Sequence, residues 1–313
     1  MASIVKKLHL GRMVYWSYYA PKGLVHRWIQ RDPLRRSLDA WGRQQMEAAA
    51  HQLQPFTVPH HDVPEIHFLT GRKFWYQTCF CAYSMVQQSK QYLRPVIYDD
   101  GTLQSSHRDA IRRIFPDAQI IDYPEIEAKL EANLPQQQFP YLRATRLTYP
   151  HLRKLTDIHV GSQGWKLVLD SDMLFFHPPT LLLDWLQSPQ APCHMVDIKT
   201  VYGYSAALMT ELTGVLIPER INVGVCGLQS ESFDWDELEF WCKTMIEREG
   251  TSYYQEQAMA AMLMARQPRV AIPVEDYIVM PDRQEVLSPQ GILHHYVDQS
   301  KPWYFRYAWK HII

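Results

Sequence analysis

The feature that most constrains the fold of this chain is a regular alternation of predicted strands and helices in its first half. Residues 65–70, 95–100 and 118–123 each contain a short apolar run bounded by turn-forming residues, which is typical of strands. The intervening residues 74–88 and 107–114 read as helices. A β-α-β-α-β succession favours parallel strands joined by crossover helices. The sequence therefore predicts an α/β fold with a Rossmann-like, mostly parallel central sheet.

The strongest candidate for a ligand site follows a later strand. Residues 167–169 are apolar without alternation, as expected for a strand that is covered on both faces. Asp170 and Asp172 come next, at the carboxyl end where open α/β sheets bind ligands. Only Ser171 separates them, so both carboxylates can reach one hard divalent cation such as Mg²⁺ or Mn²⁺. The alternative is that they are turn formers that end the strand.

A second pair of carboxylates, Asp99 and Asp100, ends the second strand just before Gly101. One interpretation is that a carboxylate there accepts from a base N–H or a ribose hydroxyl of a nucleotide. The other is plain turn chemistry. The chain has no G-x-G-x-x-G after the first strand and no G-x-x-x-x-G-K-[ST], so neither a dinucleotide motif nor a P-loop is indicated.

Composition excludes several classes of protein. Of the 313 residues 46% are hydrophobic and 21% charged, which describes an ordinary globular protein, and a net charge of −1 gives no argument for a nucleic-acid partner. We find no run of 18 apolar residues and no signal-peptide hydrophobic region, so we expect a cytoplasmic protein. We expect reduced, mostly buried thiols at all five cysteines, which are Cys79, Cys81, Cys193, Cys226 and Cys242.

Residues 1–60 differ from the rest and read as a basic, aromatic-rich N-terminal extension. The first 45 residues contain nine Lys or Arg against two Asp. Such a segment could make peripheral contact with an anionic membrane surface. The interpretation we favour is an arm that packs its aromatic residues on the main domain. A helix is predicted over residues 37–53, with an apolar face formed by Leu38, Trp41, Ala49 and Leu53.

Two expectations concern the middle of the chain. Residues 199–220 contain glycines and a proline and read as a long loop, which is often a binding loop. We also expect one arginine of a helical stretch to face the two aspartates and offset their charge, while most of its basic residues face solvent. The basic residues of that stretch are Arg143, Arg146, Arg153 and Lys154.

Four pieces in order carry a resemblance to a known family. They are Leu169-Asp170-Ser171-Asp172, residues 221–225 with Asn222 and Gly224, Tyr254-Gln255-Glu256-Gln257, and His295 six residues before Lys301-Pro302-Trp303. Together they resemble the nucleotide-sugar glycosyltransferases of the GT-A fold. The resemblance is closest to glycosyltransferase family 8, the glycogenin and lipopolysaccharide-galactosyltransferase type, and it covers roughly residues 63–303.

The resemblance implies a role for each matching position. Asp170, Asp172 and His295 would be the ligands of Mn²⁺ or Mg²⁺, and Lys301 would contact the donor diphosphate. The physics agrees, since a divalent ion and a lysine stabilise charge where it develops on the leaving phosphate. His294 is the competing histidine, because neighbours in an extended strand point to opposite sides.

On the sugar side, the family implies that Asn222 and Gly224 line the sugar and acceptor pocket and that Gln257 lies under the anomeric carbon. One departure is Ala258, where the family often has a carboxylate. Glu256 could instead act as the general base of an inverting enzyme. We expect retention of configuration, with inversion through Glu256 as the alternative.

These observations predict a single GT-A domain over residues 61–313, preceded by the extension of residues 1–60. The expected function is a metal-dependent glycosyltransferase of the hexosyltransferase type. Its donor would be a nucleoside-diphosphate sugar, a UDP-sugar first of all, and its acceptor a glycan or another hydroxyl compound. The alternative is a catalytically silent GT-A domain that binds a nucleotide sugar or a partner.

Overall fold

A computed structural model of the protein describes residues 33–313, which contain ten strands and twelve α-helices. The strands are β1 Glu65–Thr70, β2 Arg94–Asp99, β3 Gln119–Ile121, β4 Trp165–Leu169, β5 Met173–Phe175, β6 Cys193–Val196, β7 Ile221–Gln229, β8 Val270–Ala271, β9 Tyr277–Val279 and β10 Leu293–His295. The helices are α1 Pro33–Ala50, α2 Trp75–Ser89, α3 Ser105–Ile114, α4 Tyr123–Asn133, α5 Pro140–Thr148, α6 Arg153–His159, α7 Thr180–Gln187, α8 Ala206–Thr213, α9 Trp235–Glu249, α10 Gln255–Ala265, α11 Arg283–Leu287 and α12 Lys301–Arg306.

The central sheet has seven strands in the order β3-β2-β1-β4-β7-β6-β8. Strands β3, β2, β1 and β4 are parallel neighbours, whereas β7 runs antiparallel to both β4 and β6. The predicted α/β class and the β-α-β-α-β half are therefore confirmed, with element bounds shifted by one or two residues. All parallel strands of this half end at one edge of the sheet, which is the edge that carries Asp170.

Two apolar cores cover the two faces of this sheet. In β4, Leu167 and Leu169 belong to one core, while Val168 between them belongs to the other. This division confirms the prediction drawn from the unbroken apolar run, because successive side chains of a strand point to opposite faces. The strand is thus held from both sides, and the position of the residue that follows it is fixed accordingly.

A second, three-stranded sheet brings the carboxyl-terminal segment back to the same edge. Its order is β5-β10-β9, with β10 antiparallel to β5 and parallel to β9. Strand β5 begins one residue after Asp172, and His295 in β10 pairs with Met173 in β5. Residues that are more than a hundred positions apart in the chain therefore meet at one place.

The helix predicted inside the N-terminal extension is present and packs on the rest of the protein. Helix α1 contacts α2 and α12, and it buries Met46 and Ala50 in the core. The predicted apolar face is wrong at its first two positions, because Leu38 and Trp41 are 50% and 53% exposed. Residues 1–32 lie outside the described residues, so the membrane contact predicted for residues 1–60 and the domain boundary at residue 60 stay predictions.

Other expectations from the sequence are met in part. The segment predicted as a loop at residues 199–220 contains helix α8, whose first turn is capped by the Ser205 hydroxyl and which ends at Gly214. All five cysteines are buried and free, as predicted. Within the described part of the chain, no helix has both the length and the apolar character needed to cross a bilayer.

Candidate active site

Asp170 and Asp172 are held at the end of β4 by backbone contacts on both sides. The Asp170 N–H donates to the Gly224 carbonyl of β7 at 2.8 Å, and the Asp172 carbonyl accepts from the Tyr296 N–H at 2.9 Å. Between them, the Ser171 hydroxyl lies 2.8 Å from the Thr78 hydroxyl of α2. Three different elements therefore fix the short turn that carries the two carboxylates.

His295 faces these carboxylates. Its Nε2 lies 3.6 Å from Asp170 Oδ2 and 3.4 Å from Asp172 Oδ1. One ligand atom from each of the three residues fits within 4.8 Å of the others. His294 turns away, with Nε2 2.8 Å from Glu285 Oε1 and Nδ1 3.0 Å from the Tyr296 hydroxyl. Of the two adjacent histidines, His295 is therefore the one beside the aspartates, as the sequence predicted.

The chemistry of this cluster suits a divalent cation. Two carboxylates and one imidazole are the hard oxygen and borderline nitrogen ligands that Mn²⁺ accepts. Burial opposes ionisation of Asp172, but His295 and Lys301 outweigh it and hold the pKa of this carboxyl well below its usual range. An ionised carboxylate is the form that binds metal. Residues Asp170, Asp172 and His295 therefore fit the ion that the sequence analysis predicted.

Lys301 begins helix α12 and places a second positive charge at the cluster. Its Nζ lies 3.2 Å from Asp172 Oδ2, and its side chain is 47% exposed. The turn of α12 is tied to the aspartates, because the Tyr304 hydroxyl donates to the Ser171 carbonyl at 3.4 Å. The ammonium thus lies at the open side of the site, where a ligand can reach it.

Lys154 is a buried member of the site that the sequence analysis placed wrongly among mostly solvent-facing residues. Its Nζ lies 2.7 Å from Asp170 Oδ1, 3.0 Å from Glu256 Oε1 and 3.4 Å from the Val223 carbonyl. Burial alone would lower the pKa of Lys154, but Asp170 and Glu256 together raise it, so the side chain stays charged. The residue that offsets the charge of Asp170 is therefore a lysine and not an arginine.

The three arginines of the same stretch have structural partners elsewhere, and all of them are buried, contrary to the prediction. Arg146 donates to both carboxylate oxygens of Asp157, and Arg153 Nη1 donates to the Asp100 carbonyl at 2.8 Å. Arg143 pairs with Glu127. The spacing of these basic residues in the sequence does not show which of them pairs with a distant carboxylate and which reaches the site.

Glu256 lies in the first turn of α10 and is almost completely buried. Burial raises the pKa of this carboxyl to about 7, the charge of Asp170 adds to the effect, and Lys154 opposes it. A carboxyl that titrates near neutrality beside a candidate metal cluster is a frequent feature of functional sites. Glu256 can therefore exchange a proton in the neutral range.

Asn222 and Gln257 share contact with a carboxylate that the sequence analysis did not single out, and Gly224 in turn contacts Asn222. Asn222 Nδ2 donates to Asp197 Oδ2 at 3.0 Å, and Gln257 Nε2 lies 3.5 Å from the same oxygen. The Gly224 N–H donates to Asn222 Oδ1 at 2.9 Å. Asp197 directly follows strand β6, and a carboxylate at a strand end was the signal that could have identified it.

Gly224 is also the residue that makes room for His295. A Cβ built on Gly224 would lie 2.5 Å from both Cε1 and Nδ1 of the His295 ring. His295 Nδ1 is buried without a hydrogen-bond partner among the described residues. The ring therefore packs directly on the backbone of β7, with Nε2 turned toward the two aspartates.

Asp99 makes the hydrogen bonds expected of a turn residue, which was one of the two interpretations drawn from the sequence. Its Oδ1 accepts from the N–H groups that follow it in the turn, and Oδ2 accepts from Arg108 at 2.6 Å. Asp100 is half-buried, and its Oδ1 accepts from the Thr102 N–H at 2.9 Å. Its other carboxylate oxygen accepts no hydrogen bond from the described residues, and contact of Asp99 or Asp100 with a nucleotide stays a prediction.

No protein-family model matches the chain, and no curated protein matches it significantly. Among solved structures, it is similar to the galactosyltransferase LgtC in complex with donor and acceptor sugar analogues. The match has 16% sequence identity and a TM-score of 0.53, and it covers 79% of this chain and 93% of LgtC. Mouse xyloside xylosyltransferase 1 in its apo form gives 9% identity, coverage of 75% and 98%, and a TM-score of 0.49. At these identities the likeness concerns architecture alone, and the chain has the fold of the GT-A glycosyltransferases.

Proposed function

We propose that this protein is a metal-dependent glycosyltransferase of the hexosyltransferase type. It moves a sugar from a nucleoside-diphosphate sugar, a UDP-sugar first of all, to a hydroxyl of a glycan or similar acceptor. The observation that carries the proposal is the cluster of Asp170, Asp172 and His295, with ligand atoms within 4.8 Å of one another and Lys301 beside it. Its place at the carboxyl edge of the sheet is where α/β folds bind ligands. The GT-A fold and the family 8 resemblance of the motifs support the same function.

In this proposal Asp170, Asp172 and His295 hold Mn²⁺ or Mg²⁺. A divalent ion at this place would supply electrostatic stabilisation to the diphosphate leaving group. Lys301 contributes a cation from the protein itself, and its half-exposed side chain can leave Asp172 for a phosphate oxygen. Pro302 restricts the backbone next to it, which keeps the ammonium near the cluster.

Lys154 acts as a positioning residue in this scheme. The carboxylates of Asp170 and Glu256 would repel each other without a cation between them. The Lys154 ammonium lies within hydrogen-bond reach of both Asp170 and Glu256 and so offsets the charge of the two carboxylates. Neutralising Lys154 should therefore weaken metal binding without removing any ligand.

We expect the transfer to retain the configuration of the anomeric carbon, with Gln257 below that carbon and Asn222 and Gly224 beside the sugar. Support comes from the common contact of Asn222 and Gln257 with Asp197, which holds both amides at one place. The alternative is inversion with Glu256 as general base, which its pKa of about 7 would allow. A β-linked product from an α-linked donor in an NMR assay would assign the reaction to Glu256.

The test is binding and slow hydrolysis of UDP-sugars with and without Mn²⁺. We expect UDP to raise the melting temperature only when Mn²⁺ is present, because a ligand that binds the native state stabilises it. Asp172→Asn should abolish that metal-dependent shift, while Asp184→Asn at an exposed position of α7 should keep it. A metal-dependent shift without any hydrolysis or transfer would favour the silent binding domain. An unchanged shift in Asp172→Asn would refute the metal assignment.

A further inference from the structure

The side of β10 that faces away from the candidate metal cluster carries a buried polar group that the proposed reaction does not use. This group is the imidazole of His294, which has no exposed surface. A buried imidazole is costly unless its ring nitrogens have partners, whereas an aliphatic side chain at the same place would need none. Both nitrogens of His294 are paired, with Glu285 at 2.8 Å and with the Tyr296 hydroxyl at 3.0 Å. The arrangement is therefore more specific than packing alone requires.

The donors and acceptors around His294 form one ordered chain. The Glu285 carboxylate can only accept, so Nε2 of His294 carries the proton, and Nδ1 accepts from the Tyr296 hydroxyl. The Tyr296 ring stacks on the Tyr304 ring with centroids 4.9 Å apart. The Tyr304 hydroxyl in turn donates to the Ser171 carbonyl at 3.4 Å. The contacts that begin at Glu285 thus end between the two aspartates of the candidate cluster.

Glu285 also fixes the loop that leads into β10. The same Oε1 that accepts from His294 accepts from the Gln290 N–H at 2.7 Å and from the Gly291 N–H at 2.8 Å. Glu285 belongs to α11, whose first turn is capped by the Asp282 side chain, so the carboxylate starts from a fixed backbone. One oxygen therefore joins α11, the loop before β10 and the ring of His294.

The rotation of β10 about its own axis decides where His295 points. Successive side chains of a strand point to opposite sides, so hydrogen bonds that hold His294 on one side set the direction of His295 on the other. The ring of His295 has no such support of its own, because its Nδ1 is buried without a hydrogen-bond partner among the described residues. In metal sites that second nitrogen usually has a partner that orients the ring. Here the support comes through the strand.

We propose that Glu285, His294 and Tyr296 are positioning residues for the candidate metal cluster. They hold His295 and the turn with the two aspartates in a fixed relation, so that the three ligands are in place before a cation arrives. This role depends on the proposed function, because it assumes that the cluster binds a divalent cation. Groups that support metal ligands from outside typically change metal affinity by about 10–100-fold.

The test titrates the intact protein with Mn²⁺, with and without UDP, and measures free Mn²⁺ by its electron paramagnetic resonance signal. We expect Glu285→Ala to weaken Mn²⁺ binding about 10–100-fold, because it releases the ring of His294 and the loop together. Glu285→Gln keeps an acceptor oxygen at the same place and should recover most of the affinity. Tyr296→Phe removes one hydrogen bond of His294 and should weaken Mn²⁺ binding about 2–10-fold.

Glu239→Ala is the matched control for a loss of stability. The Glu239 carboxylate also accepts from two backbone N–H groups, those of Tyr141 at 2.8 Å and Leu142 at 2.9 Å, at the start of α5. Both Glu→Ala variants should lower the urea midpoint, because each leaves backbone donors without their acceptor. Only Glu285→Ala should raise the Kd for Mn²⁺, which a merely structural role would leave unchanged.

The outcomes separate this role from the proposed function. Wild-type Mn²⁺ affinity in a folded Glu285→Ala protein would overturn the positioning role and leave the proposed function intact. Equal losses of affinity in Glu285→Ala and Glu239→Ala would reflect general destabilisation and would also overturn it. If Glu285→Ala does not fold, Tyr296→Phe decides, and an unchanged Mn²⁺ affinity in that variant would overturn the role. A wild-type protein that binds no Mn²⁺, with or without UDP, would refute the proposed function and this role together.

Discussion

Replacing Gly224 by alanine is the sharpest test of the site, because one methyl group reaches a metal-ligand candidate without removing it. The new Cβ would lie 2.5 Å from Cε1 and Nδ1 of His295 and 2.9 Å from Asn222 Oδ1. Gly224 has an extended backbone within β7, so alanine introduces no conformational strain of its own. The perturbation is therefore a displacement of the imidazole.

The size of that displacement can be worked from the contact. Carbon and ring atoms normally stay about 3.5 Å apart, so a contact of 2.5 Å requires a movement of about 1 Å. Bond lengths at a metal site vary by only about 0.2 Å, so the ring would leave bonding position. We expect a loss of about 10–100-fold in Mn²⁺ affinity, as for a displaced supporting group. Overpacking should also lower the free energy of unfolding by about 1–3 kcal/mol.

The assay compares Mn²⁺-dependent UDP binding by calorimetry with stability by urea denaturation. Gly227→Ala is the matched control, because it lies in the same strand and its Cβ would lie 2.5 Å from Trp185 Cζ2 and 2.6 Å from Cys193 Sγ. Both variants should lose stability, but only Gly224→Ala should lose metal-dependent binding. A folded Gly224→Ala variant with the metal dependence of the wild type would refute the placement of His295 as a ligand.

Three other predictions follow from named residues. Burial lowers the pKa of His159 to about 3, whereas a histidine in the unfolded chain titrates near 6.5. The unfolded state therefore takes up the proton first as the pH falls. The free energy of unfolding should decrease below pH 6.5, by about 3 kcal/mol at about pH 4.5. Across this pH range, the urea midpoint of His159→Gln should depend less on pH than the midpoint of the wild type. Equal pH dependence in the two proteins would contradict a lowered pKa for His159. Gln257→Ala should lower kcat for transfer and leave UDP affinity unchanged, and a large loss of UDP affinity would mean that Gln257 binds the nucleotide instead. Removal of residues 1–32 should lower the free energy of unfolding without changing lipid association if this segment packs its aromatic residues on the main domain. Salt-sensitive binding of the intact protein to anionic vesicles that the truncation loses would support the membrane interpretation instead.

Much of the fold could be predicted because the signals were local and periodic. The apolar run before Asp170 and the turn-forming residues that bound the first strands each act within a few residues. Alternation along a strand permits only one of His294 and His295 to face the aspartates, and the spacing of His295 to Lys301 in the family resemblance selected it. Helix α8 was missed because glycine and proline flank it and suggested a loop over the whole segment.

Contacts between distant elements could not be read in the same way, and Lys154 shows why. Its neighbours Arg143, Arg146 and Arg153 are also cationic and also helical, and nothing in their spacing separates a core ion pair from a site residue. The distinction arises only when α6 packs against β1 and α10, so that one ammonium lies between Asp170 and Glu256. Both partners are acidic, Glu256 buried and Asp170 partly exposed, and the buried ammonium would be too costly to keep charged without them. The contacts of Lys154 with Asp170 and Glu256 therefore keep the buried ammonium charged, join α6 to α10 and balance negative charge at the candidate cation site.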